Sequence, residues 1–177
     1  MSKLRAYQKF LIAGGVVILM GIIFLFVTIY PFFHEEEHAS DATMEKHFTQ
    51  IEPQLNQLVT MANEDRNLVR IAPDWTALKD NGQWPRPESE LGFSMERWNE
   101  YKTIFKNIGS SSGINHYSNA VYITMTAKGI VNRGSGKGYV YTLETPAPLV
   151  GSTDSFTEEG KVYKKIVDNW YIFYDRE

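Results

Sequence analysis

The stretch VYITMTA, residues 121–127, decides the fold of this chain. Apolar side chains occupy its odd positions and hydroxyl-bearing side chains its even ones. This period of two predicts a β-strand with one buried face. The stretch YVYTL at 139–143 repeats the pattern after the turn residues GSG at 134–136, which predicts an antiparallel partner. Residues 162–167 and 170–174 predict a second hairpin of the same kind.

An amphipathic helix is predicted well before these strands. Its apolar positions alternate in steps of four and three, as on one face of a helix, and they are Met44, Phe48, Ile51, Leu55, Leu58 and Ala62. Pro53 lies inside this pattern and predicts either a kink or the start of a new helix at Glu52. We expect the apolar face to pack on the domain behind it rather than in a coiled coil.

A second helix is predicted from Met95 to Ile108, with Ser94 as its N-cap and Gly109 as its C-terminal stop. Leu68–Ile71 looks like a short strand, and Ile114–Tyr117 is a candidate fifth strand of the sheet. Two helices followed by antiparallel strands are typical of the α+β class. The sequence therefore predicts two helices packed on a four- to five-stranded antiparallel sheet.

Residues 11–30, LIAGGVVILMGIIFLFVTIY, contain no charged side chain. At about 1.5 Å per residue they match the roughly 30 Å hydrocarbon core of a bilayer. The basic residues before this segment and the acidic residues after it predict that the N-terminus is cytoplasmic. No cleavage site of the small-residue type follows the apolar run directly, so we expect an anchor rather than a signal peptide.

Four segments follow from these observations. We expect a cytoplasmic tail at 1–10, a transmembrane helix at 11–33, a juxtamembrane amphipathic helix at 34–63 and an extracytoplasmic α+β domain at 64–177. Three basic residues give the tail a charge of +3, and the rest of the chain carries −6. This balance argues against nucleic-acid binding and favours a partner protein with a basic surface.

The residues His34–His38 match H-E-x-x-H, the signature of zinc hydrolases. In those enzymes both histidines project from a buried helix and a third protein ligand completes the site. Here two glutamates fill the x positions, and His47 is the nearest further histidine. We interpret the segment as a solvated acidic run and expect no metal, no cofactor and no catalytic residue.

Two further motif matches are also rejected. Gly109–Gly113 matches G-x-S-x-G, but a nucleophile elbow needs a strand before the serine and a helix after it, the reverse of the order predicted here. Arg133–Gly138, RGSGKG, lacks both the first glycine and the final Ser or Thr of a phosphate-binding loop. We interpret it as a hairpin turn.

A long irregular stretch at 72–93 holds tryptophans and prolines and is a candidate binding surface. The hairpin turn adds two basic side chains that suit an anionic partner group. The candidate partner-binding residues are therefore Trp75, Trp84, Arg86, Arg133 and Lys137.

Three stretches, MANED at 61–65 with the nearby Leu68 and Ile71, KGYVY at 137–141, and NWYIFY at 169–174, resemble small single-pass envelope proteins of bacteria. The resemblance implies a bacterial inner-membrane protein with a periplasmic domain. It transfers no catalytic residue.

These inferences predict a non-enzymatic interaction module, tethered by a single helix in the bacterial inner membrane. It would scaffold or regulate an envelope complex, or act as an immunity protein against a toxin of the periplasm. A homodimer stays open. The alternatives are an envelope hydrolase using a metal or a serine, with His34, His38 and His47 or Ser111 and His116 converging, and a sensor subunit for a small ligand.

Overall fold

A computed structural model of the protein describes residues 19–21, 23–25, 38–78, 94–117, 119–130 and 133–177, with the backbone alone at Ile130 and Arg133. The chain divides into two compact units, residues 1–37 and residues 38–177. The boundary between Glu37 and His38 places the amphipathic helix in the same unit as the strands.

The second unit is an α+β structure built on one antiparallel sheet of seven strands. Its elements in chain order are α1 (Asp41–Glu64), β1 (Leu68–Ile71), β2 (Thr76–Leu78), α2 (Met95–Ile108), β3 (Ile114–Tyr117), β4 (Ala120–Ile130), β5 (Arg133–Thr142), β6 (Gly160–Val167) and β7 (Trp170–Arg176). The strand order is β2-β1-β3-β4-β5-β7-β6.

The α+β class is confirmed, but four to five strands were too few. The predicted strand β1 joins the sheet by pairing with β3, and β2 then pairs with β1 at the edge. The β2 strand is three residues long and lies in the stretch that we expected to be irregular. A strand this short leaves almost no alternating pattern in a sequence, because the period of two needs several residues to show.

The central hairpin of β4 and β5 is longer than predicted. Pairing continues from Ala120 opposite Thr142 to Ile130 opposite Arg133, so residues 134–136 lie within a strand and the turn prediction for them is wrong. Glycines normally weaken strands. Here Gly138 allows the backbones to approach closely, since a Cβ at this position would lie 2.1 Å from the Ile123 carbonyl oxygen.

Helix α1 is a single helix of 24 residues, and its predicted apolar face is confirmed. All six predicted positions are buried in the core, with Leu55 and Leu58 fully inaccessible. Pro53 lies inside the helix on the exposed side, so no second helix begins at Glu52. Because proline has no N–H, it forgoes one helical hydrogen bond.

Helix α2 begins and ends as predicted. The Ser94 side chain accepts a hydrogen bond from the backbone N–H of Arg97, and Gly109 ends the helix in the left-handed region with φ at 72°. Tyr101, Phe105 and Ile108 are buried, and Trp98 packs against the same core from a half-buried position.

The two faces of the sheet bury different side chains. The main core joins α1 and α2 to one face, which includes Ile123, Tyr139 and Ile172. A second cluster on the opposite face draws its described members only from strands, namely Ala120, Tyr122, Val140, Tyr163, Tyr171 and Phe173. At the outer edge, Leu149 forms a parallel bridge with Tyr163 of β6.

The predicted transmembrane segment 11–33 falls almost wholly outside the described residues. Within it, residues 19–21 and 23–25 are helical, and their large apolar side chains are all more than half exposed. No helix in the described part of the chain is long and apolar enough to cross a membrane.

Candidate functional site

The sheet has two ends that differ in chemistry. At the hairpin end, Ile130 pairs with Arg133, and at the far end Ala120 pairs with Thr142. The chain enters the second unit at His38, whose ring contacts Thr126 and Ser135 near the hairpin end. Seven residues of β5 separate Ser135 from Thr142 at the far end, which corresponds to about 23 Å at about 3.3 Å per residue.

Large apolar side chains are exposed at the far end. In the described part of residues 38–177, four such side chains are exposed: Tyr117, Leu143, Leu149 and Val167. Tyr117 ends β3, Leu143 follows β5 and Val167 ends β6, so three of the four lie at this end. Leu149 lies beside β6 on the adjoining edge.

The far end is also ordered by polar contacts. Thr142 Oγ1 accepts a hydrogen bond of 3.2 Å from the Glu144 N–H, and the Thr142 N–H donates one of 3.0 Å to the Asn169 carbonyl. Asn119 donates from its amide to the Glu144 carboxylate at 2.9 Å. These bonds fix the backbone beneath Leu143, which is 75% exposed. The arrangement presents apolar surface on a rigid support, as a protein-binding site requires.

The structure does not gather the five predicted contact residues into one surface. Trp84 and Arg86 lie outside the described residues, and only the backbone of Arg133 is described, at the hairpin end. Trp75 is half-buried, with the Arg70 guanidinium 5.5 Å from its ring centroid. Its role in binding stays a prediction.

Lys137 was expected at an exposed hairpin tip, and that position is wrong. It lies inside β5 opposite Thr126, and its side chain is 2% exposed. The error follows from the hairpin register, because residues 134–136, where we expected the turn, belong to β5 and pair with β4. Burial removes Lys137 from any surface that a partner would contact.

Lys137 instead forms a buried ionic cluster with the start of α1. Its Nζ lies 2.6 Å from Asp154 Oδ1 and 2.9 Å from Asp41 Oδ1. Asp41 also accepts hydrogen bonds from the side chains of Ser152 and Thr153 and from the Thr153 N–H. Its own N–H donates to Asp154. The cluster therefore ties α1, β5 and the loop at 152–154 together.

These contacts set the charge of Asp41. Burial by itself raises the pKa of its carboxyl group, but hydrogen bonds from Thr153, Lys137 and Ser152 outweigh burial and hold the pKa well below its usual range. Asp41 is thus ionised at neutral pH. Its contribution to stability is complete above pH about 4, the unfolded pKa, and is lost as the pH falls further.

His38 is packed rather than solvated, contrary to our interpretation of the acidic run. Its Nδ1 lies 2.6 Å from Thr126 Oγ1, its Nε2 lies 2.8 Å from Ser135 Oγ, and its ring stands edge-on to Tyr174 at 5.5 Å. Burial, followed by repulsion from Lys128 and Lys137, lowers the pKa of His38 from 6.5 to about 4. His38 is therefore neutral at pH 7.

We expect the stability of the protein to fall as the pH drops from about 6.5 to 4, partly through His38. In this window the unfolded chain binds a proton at His38 that the folded chain does not, which favours unfolding. Urea unfolding of the full chain at several pH values will measure this. His38→Gln keeps hydrogen-bonding groups without the titration, so its stability should depend less steeply on pH. Parallel curves for the two proteins would contradict this assignment.

The alternative catalytic sets are not assembled in the described residues. His34 lies outside them, His47 Nδ1 is 3.3 Å from the Tyr139 hydroxyl, and no three His, Asp or Glu side chains in the described ranges are placed to hold a metal ion. No hydrogen bond among these residues joins Ser111 to His116. Ser110 instead donates to the Thr124 carbonyl and accepts from the Gly113 N–H.

Sequence reasoning missed the residues that the structure makes most distinctive. Asp41 carries no pattern that marks it in the sequence, and the N-cap of α1 is its neighbour Ser40. Leu143 ends the alternating stretch 139–143 and was therefore expected on a buried face, and Leu149 follows Pro148 with no periodic pattern. A weak signal existed in Lys137, since it lies at a core-facing position of β5 when the alternation of 139–143 is extended backwards.

Comparisons with known proteins identify no relative. No protein-family model, no curated protein sequence and no solved structure matches this chain.

Proposed function

We propose that this protein is a membrane-anchored, non-enzymatic module that binds another protein through the far end of its sheet. The observation that carries the proposal is the position of its exposed apolar side chains. Three of the four in the described part of residues 38–177 lie at the end of the sheet opposite the entry of the chain at His38. A surface placed in this way is accessible on a tethered domain.

The anchor is supported by the sequence of residues 11–30 and by the helical residues within it. Leu19, Met20, Ile23, Phe24 and Leu25 are 53–71% exposed. Surface of this kind is stable in a lipid environment, since transfer to water costs about 25 cal/mol per Å² of apolar area. We place the protein in the bacterial inner membrane, with its N-terminus in the cytoplasm and residues 38–177 in the periplasm.

The partner we propose is a protein with a basic surface. Residues 38–177 contain 15 Lys and Arg against 18 Asp and Glu, and the exposed carboxylates of Glu144 and Asp168 flank the apolar residues of the far end. Apolar contacts supply most of the affinity in such interfaces, whereas charges at the rim speed association and exclude wrong partners. Scaffolding of an envelope complex and neutralisation of a toxin are both served by this surface.

We expect Leu143→Asp to weaken partner binding by roughly tenfold or more, which corresponds to about 1.4 kcal/mol. The change buries a carboxylate against apolar partner surface without touching the core. The measurement is quantitative co-purification of the full chain from detergent-solubilised membranes, followed by binding to the identified partner at low and high salt. Binding should weaken with salt if the partner is basic.

Ala127→Asp is the matched control, because Ala127 is exposed on β4 and pairs with Gly136 near the hairpin end, away from the far end. It should retain the partner. Equal retention by Leu143→Asp and the control would reject the far end as the binding surface. Recovery of only a second, differently tagged copy of this chain would replace the proposed partner by a homodimer.

A further inference from the structure

The side-chain ammonium of Lys128 is buried near the hairpin end. Within the described part of the chain, its Nζ has no hydrogen-bond partner and belongs to no ion pair. An ammonium removed from water without a counter-ion is strongly unfavourable. Buried polar groups in native proteins nearly always have partners, so an unsatisfied one points to a bound ion or water.

The surroundings of Lys128 are polar. It lies in β4 directly opposite Ser135, and two residues earlier Thr126 lies opposite Lys137. Because strand side chains alternate between faces, these four side chains share one face of the hairpin. The His38 ring lies over them, between Thr126 and Ser135.

The two hydrogen bonds of His38 leave one hydroxyl hydrogen, on Thr126 or Ser135, without an acceptor. A neutral imidazole donates through one ring nitrogen and accepts through the other. One of the two hydroxyls, on Thr126 or Ser135, therefore donates to His38, and the other accepts from it. The accepting hydroxyl keeps its own hydrogen, which is free to donate to a third group.

The charges around His38 are unevenly neutralised. Lys137 of β5 is paired with Asp41 of α1 and with Asp154, whereas Lys128 of β4 is not paired in the described part of the chain. Tyr174 of β7 presents its ring to His38. Consistent with this, Lys128 lowers the pKa of His38 more than Lys137 does. A net positive charge therefore remains on this side of the hairpin.

We propose that Lys128, with His38 and the hydroxyls of Thr126 and Ser135, forms a binding site for a phosphate-type oxyanion. Such an anion accepts several hydrogen bonds at once and supplies the missing counter-charge. Free phosphate and the headgroup of an anionic phospholipid both have this chemistry. The site does not involve the far-end surface, so its test is independent of the test of the proposed function.

The first test compares thermal unfolding of the full chain in neutral detergent with inorganic phosphate or with chloride at equal ionic strength. Phosphate should raise the Tm of the native chain, because a ligand that binds only the folded state stabilises it. Lys128→Met should remove this effect. It should also leave the phosphate-free protein at least as stable as the native chain, because an unpaired buried charge is lost. Lys165→Met, at an exposed lysine of β6, should keep the phosphate effect.

The second test follows His38 directly by NMR. A bound anion favours the protonated ring, so phosphate should raise the pKa of His38 from about 4 in the native chain and not in Lys128→Met. A role of Lys128 in stability alone would not produce this phosphate-dependent change.

Measurements in nanodiscs distinguish a lipid headgroup from free phosphate as the source of the anion. A raised His38 pKa in discs containing phosphatidylglycerol, and not in discs of phosphatidylcholine alone, assigns the site to a lipid headgroup. A rise on addition of free phosphate in both kinds of disc assigns it to a soluble anion.

The proposal is overturned if phosphate and anionic lipid change neither the Tm of the native chain nor the pKa of His38.

Discussion

Lys137→Ala is expected to lower the free energy of unfolding by about 3–5 kcal/mol, the range for breaking one side of a buried ion pair. The substitution leaves Asp41, which is 2% exposed, without its buried ammonium partner. Hydrogen bonds from Ser152 and Thr153 remain, and so does Lys164, whose Nζ is 3.7 Å from Asp41 Oδ2, but the Lys164 side chain is partly exposed and is shared with Glu45. The loss should be measured by urea unfolding of the full chain at pH 7.

The loss of stability in Lys137→Ala should also be localised in the structure. Asp41 begins α1, and Asp154 belongs to the loop that Lys137 holds against it. Without the lysine, the loop at 152–154 and the first turn of α1 should exchange their amide hydrogens faster than the centre of the sheet. Uniform exchange in the native chain and the variant would contradict the role of Lys137 as the link between them.

Lys161→Met is the matched control for this prediction. Lys161 is also a strand lysine paired with a carboxylate, Asp175, at 2.9 Å, but both side chains are about one-third exposed. Exposed ion pairs contribute about 0–1 kcal/mol. A loss in Lys161→Met as large as that in Lys137→Ala would mean that burial is not the cause.

Gly138→Ala is expected to lower the free energy of unfolding by about 3 kcal/mol, at the upper end of the usual range for overpacking. Its Cβ would lie 2.1 Å from the Ile123 carbonyl oxygen and 2.9 Å from the Thr124 Cα. Both are backbone atoms of the paired strand, so β4 and β5 would have to separate where their register shifts, between Thr124 and Thr126.

Gly136→Ala tests the same change two residues away. A Cβ at Gly136 would meet its nearest neighbour, a ring carbon of Phe173, at 4.0 Å, which is ordinary contact. The substitution should be neutral or stabilise the protein by up to about 1 kcal/mol, because alanine restricts the unfolded chain. Equal effects of the two substitutions in urea unfolding would show that glycine content, rather than close approach, matters in β5.

The helices and the main strands were predictable because their signals are local. The face from Met44 to Ala62, the cap at Ser94 and the stop at Gly109 are each set by residues a few positions apart. The register of β4 against β5, by contrast, is not determined by a local sequence signal. The glycines at 134 and 136 suggested a turn, but both lie within β5 and pair with residues of β4.

The polar residues were less predictable for a physical reason. Lys137, Asp41 and Asp154 are separated by 17 to 113 residues in sequence, and any of them alone is typical of a solvated surface. The burial of Lys137 and Asp41 depends on the path of the loop at 152–154, which no periodic pattern indicates. The exposed apolar residues at the far end, such as Leu143, pose the opposite difficulty, since an apolar residue in a sequence is normally assigned to a core.

The parallel bridge between Leu149 and Tyr163 bears on how such chains behave when crowded. The Tyr163 N–H donates to the Pro148 carbonyl and its carbonyl accepts from the Val150 N–H, so these groups of the outermost strand are already occupied. At the opposite margin β2 offers only three residues. Both features reduce the open backbone on which neighbouring copies of the chain can stack into aggregates.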